Sequence, residues 1–464
     1  MRAVARAGGA VVPAFPARSS PRIGAQIVAG TGALLAAAVL ASAAAADPLS
    51  FDFESSRSPL TPELHGQVVE VLDHIYGFKF EAAIKQAGAI RAADPRHPLG
   101  DFLLAESYWW QAINNRDRPE LAERFRKHVE AAIAGSEKRL EQDEHDALAL
   151  FFQGSAYGRM AILDGMNGRR FESVNISVKA RKYLKLLNRY HPELEDSYCG
   201  LGIYDYFAAQ LPWFARILSK LLLGLGGDRE RGVAQLERAA SSGLFTRVEA
   251  RLFLAVAYLD TEGRYEEAIQ ILEQLNARYP DNLDYYGMLA FAYRTRYDYT
   301  NAIRMLEILV EKGQHEPAFG RQSRQMSTYF LASTYKLAGL YDRALPAFDR
   351  LVADPDPRAE WIEASSLLER GRIHDAKGER TAALADYRRV LDLKEFRGSK
   401  AKAKHFIDEP YAVTEEERSR HLAAPPNRSA SEMGDDPTDG ANSGSAHNNQ
   451  NSTGADAQDG RATP

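Results

Sequence analysis

Eleven histidines, one cysteine and 63 acidic residues are the chain's stock of groups that can ligate, titrate or attack. None of the histidines stands at a metal-ligand spacing from another histidine or from Cys199. His145 lies in the acidic run EQDEHDA, residues 141–147, a pattern that fits a solvated helix face better than a cation site. GLGGDRERG, residues 224–232, is rich in glycine but lacks the Lys-Ser/Thr pair of a phosphate-binding loop; it suits a loop leading into a helix, with Asp228 as N-cap. CGLG, residues 199–202, follows no strand, which removes a dinucleotide fingerprint and leaves small residues for close helix packing. Nothing pairs a nucleophile with a base. The chemistry expected is therefore recognition, with no catalytic residue, no metal and no cofactor.

Recognition needs elements that present side chains, and the periodicity of the chain supplies them. In residues 251–281, Ala255 is followed three residues on by Tyr258; Ala268, Leu272 and Leu275 then fall at helical spacing, and Pro280 closes the unit. The pattern returns as Ala290, Tyr293, Ala302, Leu306 and Leu309, and as Ala332, Tyr335, Gly339, Ala344, Phe348 and Leu351. It returns again as Gly371, His374, Gly378, Ala383, Tyr387 and Val390. A small residue on each helix lets the two axes approach, the large ones fill the gap, and glycine makes the turn. This grammar resembles the tetratricopeptide repeat. The resemblance implies an all-α, right-handed solenoid of antiparallel helix pairs.

The N-terminal half keeps the grammar loosely. Ala83 with Ala87, Ala105 with Tyr108, Gly154 with Tyr157, and Gly202 with Gly232 occupy the small-residue positions. Two insertions interrupt them, at 163–177 and 206–227. Seven or eight units are expected over about 70–395. Residues 202–243 are also similar to a stretch of a eukaryotic tetratricopeptide family linked to inclusion-body clearance.

The expected organisation is a signal peptide over 1–46, a lead-in over 47–69, an irregular array over 70–245, regular repeats over 246–396, and a basic linker with a disordered polar tail over 397–464. The first 46 residues contain no Asp or Glu; an apolar run from 27 to 40 precedes small residues, so cleavage near Ala46 and a periplasmic or secreted protein are expected. An uncleaved N-terminal membrane helix is the alternative. From 423 to 464 there is no Leu, Ile, Val, Phe, Tyr or Trp, too little apolar surface to offset chain entropy.

In such solenoids the first helices line the concave face. Positions three before and four after the small first-helix residue place Phe102, Trp109, Phe151, Tyr206, Leu252, Leu259, Gly287, Arg294, Tyr329 and Lys336 at a groove. The partner expected there is a protein or peptide. A net charge of −5 argues against nucleic acid. The apolar stretch within the second insertion, with Trp213, Phe214, Leu218 and Leu222, offers a second possibility, contact with a membrane surface or a role as a lipid carrier.

Overall fold

A computed structural model describes residues 59–115, 118–210, 226–260, 264–317 and 319–422. Among these the chain is all-α, with eighteen helices and no strand. The helices pair in chain order. They are α1 (Pro62–Tyr76) with α2 (Phe80–Ala93), α3 (Pro98–Asn114) with α4 (Pro119–Gln142), and α5 (Ala147–Met166) with α6 (Arg170–Tyr190). Next come α7 (Ser197–Ala209) with α8 (Arg229–Ser242), and α9 (Arg247–Asp260) with α10 (Tyr265–Arg278). Then come α11 (Leu283–Thr295) with α12 (Tyr299–His315), α13 (Arg321–Leu337) with α14 (Tyr341–Ala353), and α15 (Glu360–Ala376) with α16 (Arg380–Asp392). Two shorter helices follow, α17 (Ser399–Asp408) and α18 (Glu415–Leu422). The eight pairs match the upper count read from the repeat.

The spaced alanines occupy the places the grammar assigns. Ala255, Ala268, Ala302, Ala332, Ala344 and Ala383 are all fully buried. At Gly202 a Cβ would lie 2.9 Å from the Gly232 carbonyl oxygen, and at Gly371 it would lie 2.5 Å from Tyr387 Cε1, so both positions require glycine. Asp228 is the N-cap of α8, its carboxylate accepting from the Arg231 amide at 3.0 Å.

Successive units are also tied by a bond the grammar does not contain. Tyr258, Tyr293 and Tyr335, the first-helix tyrosines, donate to Glu237, Glu273 and Glu307 on the preceding unit's second helix, at 2.7, 2.5 and 2.6 Å. Burial and the carboxylate raise all three phenol pKa values, Tyr293 to about 12.

Three expectations need revision. The insertion at 163–177 is no loop: it lengthens α5 and α6 to 20 and 21 residues, so this hairpin outreaches those of the regular units. Tyr206, placed at the start of the second insertion, belongs to α7 and is 1% exposed. The basic stretch after 397 is helix α17, which caps the array with buried Ala403 and sets Phe406 against Tyr387 at 5.5 Å. α18 then lies across the turns of earlier units, with the Arg420 guanidinium 4.3 Å from the Tyr297 ring and His421 near Tyr341. Residues 1–46, expected to be a signal peptide, residues 211–225 and the polar stretch after 422 lie outside the described residues.

The solenoid winds until its turns touch. Asp73 on α1 binds Arg278 at 2.8 Å and Tyr279 at 2.6 Å, and Asn282 donates to the Tyr76 carbonyl at 2.8 Å. Asn114 at the end of α3 donates to Asp284 at 3.0 Å, and Ser323 donates to the Asn114 carbonyl at 3.2 Å. The first unit thus meets the fifth and sixth, and the second meets the sixth and seventh.

Candidate functional site

Winding of this tightness decides the fate of the expected groove. Phe102, Trp109, Phe151, Tyr206, Leu252 and Leu259 are all buried, 1–8% exposed. Phe102 and Phe151 form one aromatic cluster with Phe152 and Phe245; the Phe151 and Phe245 rings stack at 4.8 Å. Trp109 carries the Arg159 guanidinium 4.2 Å from its ring. Tyr206 donates to Asp260 at 2.7 Å. These residues are interior, and the open groove assigned to them is filled by the protein itself.

The remaining expected positions divide. Leu252, Gly287 and Arg294 line a small apolar cavity of about 70 Å³ with Asp284. Arg294 is partly buried, and desolvation lowers its pKa. Lys336 is buried, its Nζ 2.8 Å from Glu369, and burial lowers its pKa as well. Tyr329 lies between Phe330, Phe348 and Trp361, and burial pushes its hydroxyl up to about 12.

Arg159 sits where the turns cross, in bidentate contact with Glu106 and with Glu249. Burial raises the Glu106 pKa against the pull of Arg159, and the neighbouring Glu249 adds to the rise. All four carboxylate oxygens face the guanidinium, so this cluster is a tie between three first helices with no group left over for a reaction. Cys199 is buried and its thiol pKa is pushed up, the opposite of an activated nucleophile. No group of three or more metal-ligating side chains occurs among the described residues.

The open recess lies elsewhere, where the second and third units face the eighth. It is a cleft of about 730 Å³ between the α3–α4 turn, the end of α5, the start of α13, the start of α15 and the segment after α16. Its floor is aromatic: Trp361 and Phe396, ring centroids 5.5 Å apart, with Tyr329 behind Trp361 at 5.7 Å. Its cations are matched internally, Arg118 by Glu120 at 2.8 Å, Arg358 by Asp356 at 3.1 Å and Lys394 by Glu360 at 3.3 Å. Three polar groups on its walls have no side-chain partner among the described residues. They are the buried indole nitrogen of Trp361 and the amides of Gln322 and Asn167. Trp361 and Phe396 escaped the sequence reading because Trp361 stands off the concave position of its helix and Phe396 lies between helices. The signal available was an aromatic residue at each end of the last unit.

The family comparison follows this geometry. The tetratricopeptide repeat family model matches residues 234–292 and 261–321. No curated protein is significantly similar in sequence. Among solved structures, a human IFIT1 dimer with m7Gppp-AAAA aligns over 80% of this chain and 92% of its own, at 13% identity and a TM-score of 0.39. Yeast Tom70 aligns over 75% and 82% at 12% identity and a TM-score of 0.34. A tetratricopeptide repeat protein from Parabacteroides merdae aligns over 74% and 98% at 14% identity and a TM-score of 0.27. The expectation against nucleic acid rests on net charge alone.

Proposed function

Taking as premise that the chain is a tetratricopeptide-repeat protein, we propose that it is a non-catalytic scaffold of the bacterial envelope that holds a peptide segment of a partner protein in the cleft beside Trp361. The observation that carries this reading is the set of unpaired groups on the cleft walls. A buried donor without a partner is costly, and a carbonyl that reached the covered Trp361 nitrogen from the cleft would satisfy it. Two free side-chain amides offer a donor and an acceptor each, which is what a peptide backbone requires. The Trp361–Phe396 surface gives an apolar side chain a place to dock. Because the cations of the cleft already have carboxylate partners, a neutral or mixed segment suits it better than a highly charged one. The acid-free N-terminal segment supports the envelope assignment.

Cross-linked pull-down from native envelopes tests the reading. Gln322→Ala with Asn167→Ala, and separately Trp361→Ala, are expected to reduce recovery of the partner by about tenfold or more. Each variant is checked for an unchanged circular dichroism spectrum. Recovery equal to the unchanged protein by both folded variants would sink the cleft.

A second reading, contact with a membrane surface, is favoured by one observation. Phe171 is 86% exposed and Val174 45% exposed on the overhanging end of α6. Trp213, Phe214, Leu218 and Leu222, the residues first suggested for this role, lie outside the described residues. No helix among the described residues is long and apolar enough to cross a membrane.

A further inference from the structure

A separate cavity of about 250 Å³ lies between α5, α6 and α7. The antiparallel contact of α6 and α7 forms it: Leu184 meets Gly200, and one turn away Arg181 meets Tyr204. Its glycines are of two kinds. At Gly154 and Gly200 a Cβ would come within 2.6 and 2.5 Å of the Leu184 side chain, so a methyl at either would displace Leu184. Gly158, one turn further along α5, lines the cavity, and a Cβ there would meet nothing within 4 Å. Glycine within a helix is destabilising relative to alanine. At Gly158 no packing requires it; what its missing side chain does is keep the cavity open.

The polar groups on the wall are also of two kinds. Arg159 is saturated by Glu106 and Glu249. Asp196 accepts from the amides of Leu244, Phe245 and Thr246 and from the Thr246 hydroxyl. Arg181 makes no hydrogen bond and no ion pair with any described residue; its Nε is buried, its guanidinium lies 4.7 Å from the Tyr204 ring, and Lys185 is the neighbouring cation on α6. The hydroxyls of Ser155 and Tyr204 are likewise without hydrogen-bond partners among the described residues. One unmatched guanidinium and two open hydroxyls therefore face a space whose wall also carries the aliphatic side chains of Ile162, Leu184 and Ile203.

We infer that this cavity binds a small organic monocarboxylate with an apolar body. The guanidinium fork fits a carboxylate, with Ser155 and Tyr204 as further donors, and the aliphatic wall takes the body. The single unmatched positive charge sets the charge of the ligand at one. Glu106, Glu249 and Asp196 on the same cavity repel a second negative charge. The volume lies just below the usual range of small-molecule sites, about 300–1,000 Å³, which keeps the ligand small.

Isothermal titration of the full mature chain with hexanoate and with phenylacetate tests the inference, using hexanamide and hexylamine as isosteric controls. Saturable binding of a carboxylate, at least about tenfold tighter than its amide, is expected. Arg181→Gln should abolish that preference. Gly158→Leu, which adds bulk to open space, should abolish binding while the unfolding temperature holds or rises. The inference falls if neither acid binds saturably at millimolar concentration, if hexylamine binds as well as hexanoate, or if Arg181→Gln or Gly158→Leu leaves binding unchanged. The partner pull-down reads the other side of the molecule, so either result can fail alone.

Discussion

Asp284 shows how a single residue couples packing to pH. It lies in the first turn of α11, where Asn114 from another superhelical turn donates to one oxygen and the other has no partner. Burial without a counter-charge pushes its carboxyl up to about 6. An acid whose pKa is higher folded than unfolded favours the fold below its unfolded value, and that contribution is lost as pH rises through the folded value. The window here runs from about 4 to 6. Asp284→Asn keeps the shape and removes the charge, so it should raise stability at pH 7 by at most about 3 kcal/mol. The gain should vanish by pH 4. Thermal melts at the two pH values check this, and an equal gain at both would show that charge burial is not the cause. Nothing around Asp284 in the sequence announces this: an acid in a helix's first turn is ordinary, and the partner that buries it is 170 positions away.

At the scale of helices, the repeat grammar was legible because it is local. Small residues at the crossing points, aromatic fillers and turn glycines act within some forty residues, so their spacing can be read directly. Glycine takes the left-handed turn position at Gly168, Gly339 and Gly378; Phe78 and Tyr297 adopt it at the corresponding turns, so those two units lack the glycine that marks the others. The tyrosine–glutamate bonds between units are nearly local and went unread because the acceptor stands on the preceding helix, at a variable distance. Their worth can be measured. Tyr293→Phe should cost about 1–2 kcal/mol, since it removes a bond to a carboxylate. Glu273→Gln should cost less, and the two changes together less than their sum. Strict additivity in urea unfolding would show the bond to be idle.

For the whole molecule, the difference between expectation and structure is one of winding. Repeat solenoids are usually treated as chains of units that feel only their neighbours. Here the first unit holds the fifth and sixth through Asp73, Tyr76, Arg278 and Asn282. That closure also explains why the site was misplaced. Concave positions are identifiable within each unit, but whether the concavity stays open depends on contacts between residues 170 to 210 apart, for which no spacing rule exists. Asn282→Ala, which removes the donor to the Tyr76 carbonyl, should raise amide exchange in α1 as well as in α10. A rise confined to α10 and α11 would mean that the turns fold independently.

The same closure sets a problem of order. α1 is made first, and Val68, Val71, Leu72 and Tyr76 are almost wholly buried in the finished protein. Part of what buries them, Phe245, Tyr279 and their neighbours, is synthesised about 170 to 200 residues later. Until then the leading helix can bury only the faces that α2 and α3 cover. A growing chain, or one threading through a membrane N-terminus first, therefore carries an exposed apolar stripe for most of its emergence. The native contact that completes the fold is one between its beginning and its middle, so the time the stripe stays uncovered is set by the rate of delivery of the fifth and sixth units.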